Sequence, residues 1–237
     1  MSGAWTGLNS VGTPFEFNAV ASGSIGYPSG TAAGKILFCA YHAGPTGQAA
    51  PTLADTDFQL IVSRTTNASS YLFWKVATGS EGSTMLVTRP TNSGQAYAEM
   101  CCFDGGPSTI TGNVHATNTA GLGVTTGLGY PSLTITQPGC LVVVTGCKPA
   151  NCSGFNVPSP FDAEIDEQHS AAGMCMVWDY KIQTTATNIT AGTWTISSDA
   201  SASRNAVIAA LLPGVPDPQA LLSWPKQTFV SETIVQF

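Results

Sequence analysis

Charge is what this chain has least of. Across 237 residues it carries 8 Lys and Arg and 14 Asp and Glu, so only 9% of its side chains are charged, where a soluble domain ordinarily has about 25%. A long solvated helix or a coiled coil needs Glu, Lys and Arg in quantity and is excluded. Eight scattered cations in a chain of net charge −6 make no basic stripe, which excludes phosphate-led binding to nucleic acid. No run approaches the roughly 18 consecutive apolar residues that would span a membrane. Disorder requires low hydrophobicity together with high charge, and with 43% of residues apolar the chain is expected to fold. The first ten residues hold no Lys or Arg ahead of an apolar core. The seven cysteines, an odd number, are therefore expected to be reduced thiols of a protein that folds in a cytosol.

Small and hydroxylated residues take the place of charge: 25 Gly, 15 Pro, 22 Ser and 29 Thr. Short apolar runs separated by Gly, Pro, Asn and Ser clusters predict strands over 36–41, 58–63, 71–76, 84–88, 96–103, 133–136, 140–145, 174–182, 193–197 and 205–212. The best helical stretch, 162–172, is short and stops at Gly173.

Three blocks recur in order. Gly34-Lys35-Ile36-Leu37-Phe38-Cys39-Ala40 returns 105 residues later as Gly139-Cys140-Leu141-Val142-Val143-Val144-Thr145. Tyr71-Leu72-Phe73-Trp74-Lys75-Val76 returns 104 residues later as Cys175-Met176-Val177-Trp178-Asp179-Tyr180. The run 95–103 matches 204–212 at an offset of 109. Two halves of about four strands each, too few to bury a core alone, predict an all-β, jelly-roll-like antiparallel β-sandwich over 31–213, with pseudo-repeats at about 34–103 and 139–212. Residues 1–30 are then an N-terminal arm and 214–237 a C-terminal assembly tail, opened by the stiff Pro213-Gly214-Val215-Pro216-Asp217-Pro218.

The apolar strand after Gly-Lys or Pro-Gly, the Phe73-Trp74-Lys75-Val76 strand and a charge-poor closing strand ending at Pro213 resemble the β-sandwich modules of tailed-phage and prophage virion proteins. That resemblance covers about 34–213 and implies a non-enzymatic structural protein, a capsid decoration or cement subunit or else a tail or fibre component. Its expected place is the virion, after synthesis in the host cytoplasm, and its expected partners are copies of itself and other virion proteins. The cysteines and the apolar tail depart from the pattern.

Chemical motifs are few. Gly30-Thr31-Ala32-Ala33-Gly34-Lys35-Ile36 has the wrong glycine spacing for a phosphate loop and Ile36 where a metal-binding hydroxyl belongs, so it reads as a turn before a strand. There is no Gly-x-Ser-x-Gly. No cofactor is expected, and His42 and His115 have no sequence partner for nucleophilic work. Asp162, Glu164 and Asp166, with Glu167 and His169 beside them, place oxygen ligands at alternate positions. They are the candidate cation site, against a solvated loop or helix turn as the plain reading. A carbohydrate-binding, host-attaching or carbohydrate-cleaving sandwich is the alternative function, with a host-surface glycan as partner, an acidic cluster and an exposed aromatic. Cys147 and Cys152 would pair if oxidised. Trp74, Trp178 and Trp194 fall in strands and are expected in the core, whereas Trp5 and Trp224 belong to the arms. Leu221, Leu222, Trp224, Phe229, Ile234, Val235 and Phe237 make the tail too apolar to leave wet, and with Trp5 they are the expected subunit interface.

Overall fold

The computed structural model describes residues 3–44, 46–91, 94–109, 111–120, 127–149, 156–169, 173–195 and 204–214, with the backbone alone for 120, 168 and 169. Its first half carries β1 (Gly3–Val11), β2 (Phe15–Asn18), β3 (Ser22–Gly26), β4 (Ile36–Ala43), β5 (Thr52–Leu53), β6 (Gln59–Arg64), β7 (Ser69–Val76), β8 (Thr84–Thr88) and β9 (Gln95–Gly106). The second carries β10 (Val114–Ala120), β11 (Gly127–Tyr130), β12 (Cys140–Lys148), β13 (Ala163–His169), β14 (Cys175–Gln183), β15 (Gly192–Thr195) and β16 (Asn205–Leu211). The fold is all-β and its sheets are antiparallel; among the described residues there is no helix.

Each half forms one large and one small sheet. The large sheets run β1-β9-β4-β7-β6, with β2 also along β9, and β10-β16-β12-β14-β13. Read in chain order, both follow first, fifth, second, fourth, third. The small sheets are β3-β8-β5 and β11-β15. The large sheets lie face to face, β4 over β12, β7 over β16, β6 over β10 and β1 near β13.

Every residue of β4, β12 and β16 is buried, the signature of strands covered on both faces. On β4, Ile36, Phe38 and Ala40 enter a core shared with Leu141, Val143 and Trp178 of the other half. The alternate residues Leu37, Cys39 and Tyr41 pack beneath the first small sheet with Ile25, Met85 and Val87. In the second half Val142, Val144 and Val177 pack beneath Leu128 and Trp194. Three cores are thus stacked between four layers. The halves of about four strands each expected from sequence are larger: a strand apolar on both faces needs a neighbour on both sides, so each half builds its own two layers before the halves meet.

Two of the three recurrences keep their face. Phe38 and Val143, 105 apart, both point into the shared core, as do Trp74 and Trp178. The offset of 109 does not, because Tyr97 and Cys101 face the shared core while Ala206 and Ala210 face away. An odd slip in a period-two strand turns every side chain over.

Residues 1–30 are not an arm. β1 pairs with β9 from Gly3↔Gly106 to Val11↔Cys101 through two register shifts, and β3 pairs with β8. Glycines and bulges hide the period of two in this stretch. Trp5 is buried in its own core, edge-on to Phe103 at 6.4 Å, with Nε1 donating to the Leu212 carbonyl at 3.2 Å. It is therefore a core residue of this chain, where a subunit contact was expected. Gly106 makes room for it: φ is +84°, and a Cβ there would lie 2.4 Å from the indole. At the other end Gly214 N donates to Gly3 O at 2.9 Å. The best helical candidate, 162–172, holds a strand instead: β13 occupies 163–169 as an edge strand of the second large sheet.

Phe38 packs edge-on to Phe103 at 5.7 Å and stacks on Trp74 at 6.3 Å in the middle of the shared core. Phe38→Ala should cost about 3–5 kcal/mol, read as a shift of the urea midpoint without a change of slope.

Candidate functional site

Polar side chains gather where the two large sheets meet. Residues opposite one another on antiparallel strands share a face, so Arg64, Ser70, His42, Tyr97 and Glu16 form one row across the first large sheet. Val207, Thr145, Trp178 and Asp166 form a row across the second. The two rows bond to each other.

His42 is fully buried; its Nδ1 lies 2.8 Å from Ser70 Oγ and its Nε2 2.8 Å from Thr145 Oγ1. Thr145 spends its own hydrogen on the Val177 carbonyl at 3.0 Å, so the imidazole must donate from Nε2 and accept at Nδ1 from Ser70. That leaves the Ser70 oxygen to accept from the Cys147 thiol at 3.6 Å. The hydrogens thus run one way from Cys147 to Val177. Burial drives the imidazole down to about 3 and the Cys147 thiol up to about 12, so both are neutral. A serine bonded to an imidazole is the nucleophile and base of acyl transfer, but Ser70 and His42 are both sealed, and the run of hydrogens crosses between the halves twice, from Cys147 to Ser70 and from His42 to Thr145.

Two further ties flank this chain. Arg64 gives Nε to Asn205 Oδ1 and Nη1 to Thr119 Oγ1, both at 3.2 Å. The buried Asn205 returns Nδ2 to the carbonyls of Arg64, at 3.2 Å, and Ala68. Trp178 donates Nε1 to Glu99 Oε2 at 2.7 Å. Burial first, then hydrogen-bond contact with Asp166 and the Asp166 charge, push the Glu99 carboxyl up to about 10 against the pull of the indole. Glu99 therefore keeps its proton at neutral pH.

A second cluster lies in a cleft of about 410 Å³ at the edge of the first half. Lys75 Nζ stands 2.6 Å from Asp55 Oδ2 and 3.1 Å from Glu81 Oε1, and Tyr27 donates to Asp55 Oδ2 at 2.6 Å. Burial alone would raise both carboxyls. Hydrogen bonds from Lys75 and Tyr27 instead hold Asp55 below its usual range, and those from the Thr78 N–H and Lys75 bring Glu81 to about 2. The cluster clamps β7 to the turns on either side of the cleft. In the second half Tyr130, Pro158, Pro160, Asn188, Thr190 and Thr193 wall a cleft of about 560 Å³. Also in that half, burial raises the Asp179 carboxyl to about 7, with the Trp194 N–H lowering it and Glu164 and Glu167 adding to the rise.

The candidate cation ligands are not brought together. Glu164 lies opposite Asp179 and Asp166 opposite Trp178, with the register shifting between them, so the bulge sends the two carboxylates to opposite faces. Asp162 accepts the Ile182 N–H at 3.0 Å. Among the described residues no group of three or more His, Cys, Asp or Glu side chains gathers for a metal. Trp74, Trp178 and Trp194 are buried as expected, and His115 accepts the Thr136 N–H at 3.0 Å. Cys39, Cys101, Cys102, Cys140 and Cys147 are buried free thiols, so Cys147 is not bridged to Cys152. Cys175 is disulfide-bonded, against the expectation that all seven are reduced; its partner lies outside the described residues. Leu221, Leu222, Trp224, Phe229, Ile234, Val235 and Phe237 also lie outside them.

The Lys75 clamp is testable through its charge. Lys75→Met leaves two carboxylates facing each other with side chains 17% and 3% exposed and should cost about 3–5 kcal/mol at pH 7. Glu81 is depressed in the fold, so its contribution is present above pH 4.5 and lost as pH falls toward 2. The gap between wild type and variant in urea denaturation should therefore narrow between pH 4.5 and 3.

Compared with protein-family models, curated proteins and solved structures, the chain matches none of them.

Proposed function

We propose that the protein is a non-enzymatic structural protein of a tailed-phage virion, most directly a capsid decoration or cement subunit and otherwise a tail or fibre component. The observation that carries this reading is the inward use of reactive groups. His42, Ser70, Glu99 and Asn205 are 0% exposed and bond one half to the other. An acid, a base and a hydroxyl sealed in the seam in this way serve to make the two halves one rigid body. Its outer surface supports the same reading: Ser22, Ser24, Thr52, Thr84 and Thr88 are exposed on the first small sheet, and hydroxyls meet neighbours without the desolvation that charges demand.

Each half is read as a jelly-roll-like module, and the pair as related halves. In support, the first strand pairs with the last, β1 with β9 and β10 with β16. Inside that pair lie β3 with β8 and β11 with β15, and inside those β4 with β7 and β12 with β14. A long hairpin wound over two layers gives this nesting.

The expected location is the mature particle, built with copies of this chain and other virion proteins. Gold-labelled antibody or a density map of purified virions should find it on the head, or on the tail for the second form. Recovery from lysate only, and never from particles, would end both.

The tail, 214–237, is the proposed assembly segment, on the strength of Leu221, Leu222, Trp224, Phe229, Ile234, Val235 and Phe237, which follow the point where Gly214 is fastened to Gly3. A chain ending at Gly214 should fold with an unchanged urea midpoint while losing self-association or attachment to particles. A truncated chain that fails to fold would assign the segment to the domain's own core.

A further inference from the structure

We propose that Glu99 and Asp166 form a proton latch across the seam: one shared proton joins the two halves, and its loss in alkali loosens them. Glu99 lies on the inner face of β9, opposite Ala40, and is 0% exposed. The indole of Trp178, from the other half, donates to Oε2 at 2.7 Å. Asp166 is opposite Trp178 on β13, which turns its carboxyl to the same face. Among the described residues no other donor reaches Glu99 Oε1, so hydrogen-bond contact between the two acids requires a proton on one of them. Two carboxylates this close cannot both ionise. Glu99, fully buried, is the one that stays neutral, with its O–H directed at Asp166.

The neighbours offer no substitute for that proton. β4 presents His42, neutral and bonded at both nitrogens. β9 itself presents Tyr97 and Cys101, β14 Tyr180, and β12 Cys147. Glu16 of β2 stands opposite Tyr97. The cation of this face, Arg64 of β6, is held by Asn205 and Thr119. His115 of β10 is turned to Thr136. β1, β7 and β16 add apolar groups: Trp5, Leu72 with Trp74, and Val207 with Leu211. Glu164 and Asp179 are on the far face of the second large sheet.

The sign follows from linkage. Glu99 titrates near 4.5 when unfolded and near 10 when folded, so its contribution to stability is complete below pH 4.5 and drains as pH rises toward 10. The folded-to-unfolded ratio then falls about tenfold per pH unit. Asp179, raised to about 7, and the buried thiols, raised from an ordinary value of 9, add to the pH slope of wild type and of a Glu99 variant alike. The difference between the two proteins therefore isolates the latch.

The test is urea denaturation of the full chain at pH 7, 8 and 9, wild type against Glu99→Gln. Glutamine accepts from Trp178 and donates to Asp166 without a titrating proton. Wild type should lose about a hundredfold in its folding ratio relative to the variant between pH 7 and 9. The Trp178 indole N–H resonance, which reports the seam directly, should shift over the same interval in wild type alone. Parallel pH slopes, or an indole resonance equally mobile in both, would overturn the latch. Should Glu99→Gln fail to fold, Asp166→Asn removes the acceptor of the shared proton and offers Glu99 an amide donor that favours its ionised form, so the slope should become shallower than in wild type while burial keeps part of it; an unaltered slope in that variant would overturn the latch equally.

Discussion

Burial of the central strands on both faces is the constraint on which the rest depends. β4, β12 and β16 have no exposed position, so each large sheet must be covered twice, once by its own small sheet and once by the other half. A two-layer sandwich leaves one face of every strand in water, where Lys and Glu ordinarily collect. Four layers remove that face from both large sheets. The scarcity of charge is therefore a consequence of architecture, with the hydroxyls of β3, β5 and β8 taking over the outer surface that remains.

An interface of apolar β-branched and aromatic side chains alone would be indifferent to small slides of one sheet over the other. The seam is not of that kind. Thr145 must meet His42, Asn205 must meet Arg64, and Trp178 must meet Glu99; all but Arg64 are buried, so a slide leaves unpaired polar atoms in a dry contact at about 1–3 kcal/mol apiece. The ties add modest net stability when made and a large penalty when missed. What they set is register, and with it the alignment of the three cores.

The strands most legible in the sequence are those with this two-sided burial. Continuous apolar runs at 36–41 and 140–145 fall within β4 and β12, and the alternating stretch 84–88 coincides with β8, whose exposure also alternates. The contrast between a continuous and an alternating run was the sign of four layers rather than two, and a count of strands per half obscured it. β1 and β3 were hidden by Gly and Ser at positions where other strands show apolar side chains. β13 is rich in helix-forming Ala, Glu and Gln, and pairing with β14 overrode that preference. Leu133, expected inside a strand, makes only an isolated bridge with Ile189.

The seam was legible only as local dissonance. A Glu in Tyr97-Ala98-Glu99-Met100-Cys101 or a His after Tyr41 breaks an apolar strand, and such a conflict marks a position held by something distant. Its partners stand 79 and 103 residues away, beyond any motif.

Two of these dissonant residues pull stability in opposite directions. His42 must stay neutral, so its contribution is whole above pH 6.5 and is lost as pH falls toward 3. Glu99 must stay protonated, so its contribution is whole below pH 4.5 and is lost toward pH 10. Between 4.5 and 6.5 the two slopes cancel, and Asp179, raised to about 7, tips the balance toward the acid end of that interval. The same burial that expels charge from the sequence thus makes these three interior groups together most stabilising on the acid side of neutrality, although the surface cluster around Lys75 gains with rising pH.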